Sequence, residues 1–167
     1  MSVQTIIATL EKLERMHKSL LELAYKKTEL VKANDMSELD QLLKNEQAHV
    51  AAIDTLEQQR QLMVTDYLRA NGIAYTDKPT VGELINAATD QSEKEALISV
   101  RERLLSLVQE LKTQNDLNQK LVYQSLQFIN LTLEAVRPAR PDSFNYSNAE
   151  VRGQSNVGKK TYYDSQA

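Results

Sequence analysis

The sequence predicts an all-α fold, an antiparallel bundle of three long helices with one short helix in the second connection. Three observations carry this. Leu, Glu, Gln, Lys and Ala, all good helix formers, dominate a chain of 167 residues with only four Gly, three Pro and no Trp. Large apolar residues recur at intervals of three and four along three long stretches, the period of a helix buried on one side. Helix-capping residues stand at the ends of those same stretches. At this length one domain is expected, with room for a core but not for two.

The first helix, α1, is predicted from about Val3 to Ala33, with Ile6, Leu10, Leu13, His17, Leu20/Leu21, Ala24 and Val31 as its stripe. Asn34 suits the left-handed position that ends a helix, and Asp35 or Ser37 then caps the next, with Glu38 or Asp40 in the third position. The second, α2, is predicted over about 37–70, with Leu39, Leu42, Leu43, Val50, Ile53, Leu56, Met63, Val64 and Tyr67 along one side and Gly72 as its stop. Thr80 and Glu83 form a capping box for the short α3, about 81–88, and Asp90 and Glu93 another for α4. That last helix is predicted from about Gln91 to Val136, where "RPARP" ends it. At ~1.5 Å per residue the first two long helices reach roughly 45–50 Å and α4 nearly 70 Å. A three-residue link makes α1 and α2 an antiparallel hairpin, against which α4 folds back.

α4 changes character along its length. As far as Leu111 its apolar positions, Leu97, Leu104, Leu107/Val108 and Leu111, form one stripe. Beyond that point the stripe continues as Gln114/Asn115, Asn118 and Ser125, while Leu117, Val122, Leu126, Leu131 and Leu133 fall off it. From Leu121 to Leu133 there is no charge for 13 residues. With Leu121 at zero on a wheel of ~100° per residue, Val122, Leu126, Phe128, Ile129, Leu131 and Leu133 fall at about 100°, 140°, 340°, 80°, 280° and 120°. A helix apolar nearly all round is buried nearly all round. The hairpin can cover one side; the other needs a second copy of the chain or a partner's amphipathic helix. Asn115, Asn118, Ser125 and Asn130 add hydrogen-bonding groups that demand no fixed ionic partner, which suits a releasable client. Covering about six such side chains gains on the order of 10 kcal/mol gross, and ordering costs reduce that to an affinity near micromolar.

Composition narrows the function. With no cysteine, disulfides, thiolate metal sites and cysteine catalysis are excluded. The N-terminus shows no basic region before a long apolar run, and 13 residues are too few to span a bilayer, so a soluble cytoplasmic protein without membrane insertion is expected. The net charge of −3 conceals a tail, 137–167, with five Lys/Arg against three Asp/Glu, and a body with 15 against 20. An acidic body is a poor nucleic-acid binder, because neutralising phosphates takes clustered cations. Residues 1–136 are therefore expected to be the helical domain and 137–167 a flexible tail, whose only branched aliphatics are two valines. Within that tail Phe144, Tyr146, Tyr162 and Tyr163 are spaced like small anchors.

Two patterns suggest chemistry and fail on inspection. Glu14-Arg-Met-His17 and Glu46-Gln-Ala-His49 are E-x-x-H motifs of the kind that di-iron bundles use in pairs. Such sites need both residues of each motif facing inward and a Glu from each of two further helices. Here His17 is central in its stripe with Glu14 some 70° off, the order is reversed in α2, and only three long helices exist. "GQSNVGKK", Gly153 to Lys160, nearly matches a phosphate-binding loop, but Lys160 stands where the metal-binding hydroxyl belongs, and neither a preceding strand nor a following helix has room. With two His and no Gly-rich functional loop, no nucleophile, base and acid can be assembled. No enzyme, metal or cofactor is expected.

"LAYKKTELVKANDMSELDQLLKNEQ", "IDTLEQQR", "LKTQNDLNQKLVYQSLQFINLTL" and a later "NYSN" together resemble the FlgN family of flagellar export chaperones. Lys27, Leu30, Leu39, Glu46 and Arg60 match its helical hairpin, and Asn115, Asn118, Leu121, Ser125 and Leu126 its last helix; the likeness covers essentially the whole chain. The resemblance implies a cytoplasmic chaperone that binds the terminal amphipathic helices of hook-associated (hook–filament junction) proteins. It would keep them unassembled and deliver them to the flagellar export gate and its ATPase components. It also implies a client surface on the last helix, here Asn115, Asn118, Leu121, Val122, Ser125, Leu126, Phe128, Ile129 and Leu133, with Phe144 and Tyr146 as anchors in the tail. Tyr123, polar-tipped and off the main stripe, is the expected contact to the gate. The alternative is a homo-oligomeric coiled-coil scaffold or adaptor with no secreted client, against which no strict heptad with flanking charge pairs continues past Leu111. The chaperone reading allows a weak homodimer, whereas the scaffold reading predicts a stable homo-oligomer with the apolar segment already buried.

Overall fold

The computed structural model describes residues 2–137 and contains four helices there: α1 Val3–Ala33, α2 Met36–Ala70, α3 Val81–Ala87 and α4 Gln91–Val136. The rest of the expected tail, with Phe144, Tyr146 and the Gly153–Lys160 stretch, lies outside the described residues.

The helix ends are set by side chains and backbone that satisfy orphan groups. Ser2 caps α1 by accepting from the Thr5 N–H. At the other end Asn34 takes φ 55°, which lets the Asp35 N–H reach back to Leu30 O (3.1 Å) and the Asn34 N–H to Val31 O (3.2 Å). Of the two candidate caps for α2 the molecule uses Asp35, whose Oδ1 accepts from the Glu38 N–H at 3.1 Å. Gly72, at φ 65°, closes α2 in the same way, with the Ile73 N–H on Leu68 O and the Gly72 N–H on Arg69 O. The Thr80–Glu83 capping box is complete. Before α4, Asp90 Oδ1 accepts from the Glu93 N–H at 2.9 Å.

The long helices run up, down and up. Thr9 meets Met63, Ser19 meets His49 and Lys27 meets Glu46, so α1 and α2 are antiparallel. Glu14 meets Arg103, Tyr25 meets Glu110 and Thr28 meets Asn118, so α4 runs parallel to α1 and antiparallel to α2. α1 is the spine: twelve of its residues are buried, against four in α2 and three in α4. It has a neighbour on two sides, whereas each of the others has its main neighbour on one.

The core is concentrated at the end where α1 begins. Val3, Ile6, Ile7, Leu10 and Leu13 pack there with Val64 and Leu68 of α2, Leu84 and Ala88 in and after α3, and Leu97 and Val100 of α4. α3 plugs this end, with Leu84 wholly enclosed. Buried Arg60 ties the preceding loop down, donating to Glu57 within α2 and to Pro79 O at 3.2 Å. Further along, the bundle opens and its contacts turn polar.

The two E-x-x-H motifs are taken apart by this packing. Glu14 is buried and faces α4, accepting from Arg103 Nε at 3.0 Å and pairing with Lys18 at 3.0 Å. These cations, Arg103 foremost, hold its carboxyl below the usual value. His17 binds Leu13 O, Glu46 pairs with Lys27, and His49 sits between Asn45 O and Ser19 Oγ. Each of the four has its own local partner.

Candidate functional site

The stretch singled out by its lack of charge is the one left uncovered. Thr28 stands level with Asn118, so α1 ends near the level of residue 123, and α4 continues about 20 Å beyond it at ~1.5 Å per residue. On this projecting part Phe128 is 71% exposed, Leu131 66%, Leu133 60% and Leu126 55%. Each keeps more than half of its surface bare among the described residues. Single exposed apolar side chains are ordinary; several large ones gathered on one helix end, here Leu126 and Leu133 on one side and Phe128 and Leu131 on the other, mark an interaction surface.

Where α4 still lies against α1, the contact line is polar. Asn118 is 2% exposed; its Nδ2 donates to Ala24 O at 2.8 Å, and its Oδ1 accepts from the Thr28 hydroxyl, which in turn accepts from Gln114 Nε2. The sequence pattern groups Asn118 with the surface residues; the fold turns it into the α1 seam instead. Its amide serves the fold of the free chain. Asn115, Leu121, Val122 and Ser125 are half-buried beside this seam, and Tyr123 is exposed, its hydroxyl accepting from Gln127.

Two grooves flank the seam. One lies between α4 and α2, about 610 Å³, with Leu39, Leu43 and Glu46 on one wall and Asn115, Gln119, Val122, Tyr123 and Leu126 on the other. The half-buried Lys27–Glu46 pair, 3.1 Å apart, neutralises its floor. The other, about 420 Å³, lies on the opposite side of α4, between Val31, Lys32 and Asn34 and the row Leu121, Gln124, Ser125, Phe128 and Ile129. The predicted site residues thus divide between two flanks of one helix. Phe144 and Tyr146 lie outside the described residues.

Sequence reasoning missed the walls that the hairpin supplies. Periodicity puts Leu39 and Leu43 in the α2 stripe with Leu42, yet only Leu42 is buried; Leu43 is exposed and Leu39 half-buried. The signal was available, since three leucines in five positions make a stripe wider than one neighbouring helix covers. Val31 is buried, as its place in the α1 stripe predicts, and also forms the edge of the second groove.

The arrangement suits binding. Among the described residues no group of three His, Asp or Glu gathers as metal ligands, and no helix is long and apolar enough to cross a membrane. The grooves present aliphatic and aromatic carbon with amide and hydroxyl groups interspersed, a surface for apolar side chains on a helix.

Comparison with known proteins agrees. The sequence model described as FlgN protein matches residues 1–151. YvyG of Bacillus subtilis (strain 168), itself described as uncharacterized, is 33% identical over 167 residues, the full length of both chains. No solved structure gives a significant match. With a family match across the whole helical body and a relative aligned end to end, the chain belongs to the FlgN family, a family of flagellar export chaperones and not of enzymes.

Proposed function

We propose that this protein is a cytoplasmic chaperone for hook-associated proteins, which are held by their terminal amphipathic helices, kept unassembled and delivered to the flagellar export gate. The observation that carries the reading is the uncovered apolar end of α4, with Leu126, Phe128, Leu131 and Leu133 all more than half exposed. An assembly protein's terminal helix has the complementary problem, an apolar face that must stay covered until export. Seating it beside α4 covers both. Asn115, Leu121, Val122, Ser125, Leu126, Phe128, Ile129 and Leu133 form the client surface, and Phe144 and Tyr146 add anchors from the tail. Tyr123, 63% exposed at the rim, serves as the contact to the export gate.

Light scattering on the purified chain, alone and mixed with a hook-associated protein with and without its terminal helices, tests this. A 1:1 complex that requires those helices is the expected result. A stable homo-oligomer indifferent to the client would overturn the reading and make the α4 end a self-association interface.

A further inference from the structure

The uncharged run of α4 is bracketed by charges of opposite sign. From Leu117 to Ala135 the helix carries Lys120 and Glu134 and no other charge. Both are exposed, and among the described residues neither takes part in an ion pair. With Leu121 at zero on the wheel they fall at about 260° and 220°, on one flank of the helix and some four turns apart. Beside that flank runs a strip of Leu117, Leu121, Gln124, Phe128 and Leu131, at about 320°, 0°, 300°, 340° and 280°. Its intervals alternate between four and three, as in two helices packed side by side. Leu117, Phe128 and Leu131 are exposed. At its lower end the strip borders the groove of about 420 Å³ whose far wall is Val31, Lys32 and Asn34, and Lys32 is already paired with Glu29.

Opposite charges at the two ends of an apolar run make the run its own complement. When two such helices lie antiparallel about Gln127, the level of Lys120 on one is the level of Glu134 on the other, and the pair forms twice, as a two-fold interface requires. In a parallel arrangement Lys120 would meet Lys120 and Glu134 would meet Glu134. The next charge down, Asp116, falls about one turn beyond the partner's Glu134. The bodies stay apart as well. α1 ends near the level of residue 123, and the same two-fold sets the other copy's α1 end near the level of Leu131. A second copy is thus the partner that the sequence itself shows to carry the matching charges at the matching spacing.

We propose that two copies of this chain pair through the ends of α4, antiparallel about Gln127, with Lys120 of each against Glu134 of the other and Leu117, Leu121, Phe128 and Leu131 between them. The contact spans Leu117 to Ala135, about 28 Å of one helix face with a glutamine in its strip. That is well short of an obligate interface, so the dimer is weak and depends on concentration. It does not depend on what the client is. It does share Leu121 and Phe128 with the proposed client surface, so client and second copy exclude each other there, and the free chain keeps its bare apolar end covered.

Sedimentation equilibrium on the full chain at low salt, over a series of concentrations, tests this. The wild type is expected to show a monomer–dimer equilibrium. Lys120→Glu sets like charges together at both ends and should weaken the dimer about tenfold. Adding Glu134→Lys to the same chain exchanges the two charges and should restore it. The differences should fade at high salt. Phe128→Asp with Leu131→Asp should leave only monomer, with helicity unchanged by circular dichroism. Direction is read separately, since the chain has no cysteine. Gln127→Cys should cross-link to its own copy on mild oxidation, and Thr113→Cys, about 40 Å from its copy in the antiparallel pair, should not. A wild-type chain that stays monomeric at hundreds of micromolar, a dimer indifferent to Lys120→Glu, or cross-linking through Thr113→Cys overturns the inference. Added client should dissolve the dimer, and a client bound to an intact dimer overturns the exclusion. A client that fails to bind at all removes the proposed function, while the charge variants still decide the dimer.

Discussion

Replacing Leu126 with Asp separates a binding surface from a core position. The leucine side chain is 55% exposed in the free chain. Burying a leucine fully is worth about 1.5–3 kcal/mol, so the buried remainder contributes about 1 kcal/mol to the fold, and the lower helix propensity of Asp costs about 0.5 kcal/mol more. The new carboxylate can turn to water. A loss of about 1.5 kcal/mol lowers the melting temperature of a chain this size by about 3–6 °C. In a complex the balance differs. The exposed half of the leucine would be covered, worth about 1 kcal/mol, and a carboxylate in its place must lose its water at a cost of several kcal/mol. Together these weaken binding by about 3–5 kcal/mol, more than 100-fold, which puts a micromolar client beyond detection. Titration calorimetry with the client reads the affinity, and circular dichroism with a thermal melt reads the fold. Loss of helicity, or a fall in melting temperature well beyond that range, would show that Leu126 is core and sink the argument from exposure. An affinity within a few-fold of wild type would place the client elsewhere.

Other consequences follow from the packing. Asn118→Ala removes the buried amide that donates to Ala24 O and accepts from the Thr28 hydroxyl and leaves a gap in the seam, so urea unfolding should show a loss of about 1–3 kcal/mol. Glu14 is held below its ordinary value of 4.5 by Arg103, so its ion pair stabilises the fold above about pH 4.5, and that contribution is lost as pH falls through the depressed value. Glu14→Gln should therefore flatten the acid limb of a stability-versus-pH profile measured below pH 4.5, leaving the other carboxylates to set it. Asn34, at φ 55°, tolerates Gly better than Ala: thermal melts should place Asn34→Ala about 1 kcal/mol below Asn34→Gly.

The element boundaries were legible from the sequence because caps are local. Asn34, Asp35, Gly72, Thr80 and Asp90 each answer to orphan groups within a few residues, and the observed helices begin and end where those residues stand. The uncharged run from Leu121 to Leu133 was equally legible, since periodicity reports how many sides of a helix are apolar. Periodicity is silent on what covers each side. Leu39, Leu43 and Val108 belong to the same stripes as buried Leu42 and Leu97, and only the placement of α4 parallel to α1, apart from the middle of α2, leaves the first three partly or wholly open. Asn118 shows the converse. Polar by type, it is buried because Ala24 O and the Thr28 hydroxyl lie across the seam, an exchange of hydrogen bonds over some ninety residues of chain that no local pattern encodes. Local chemistry determined where this chain turns and which helix carries excess apolar surface; long-range packing decided which of that surface stays bare.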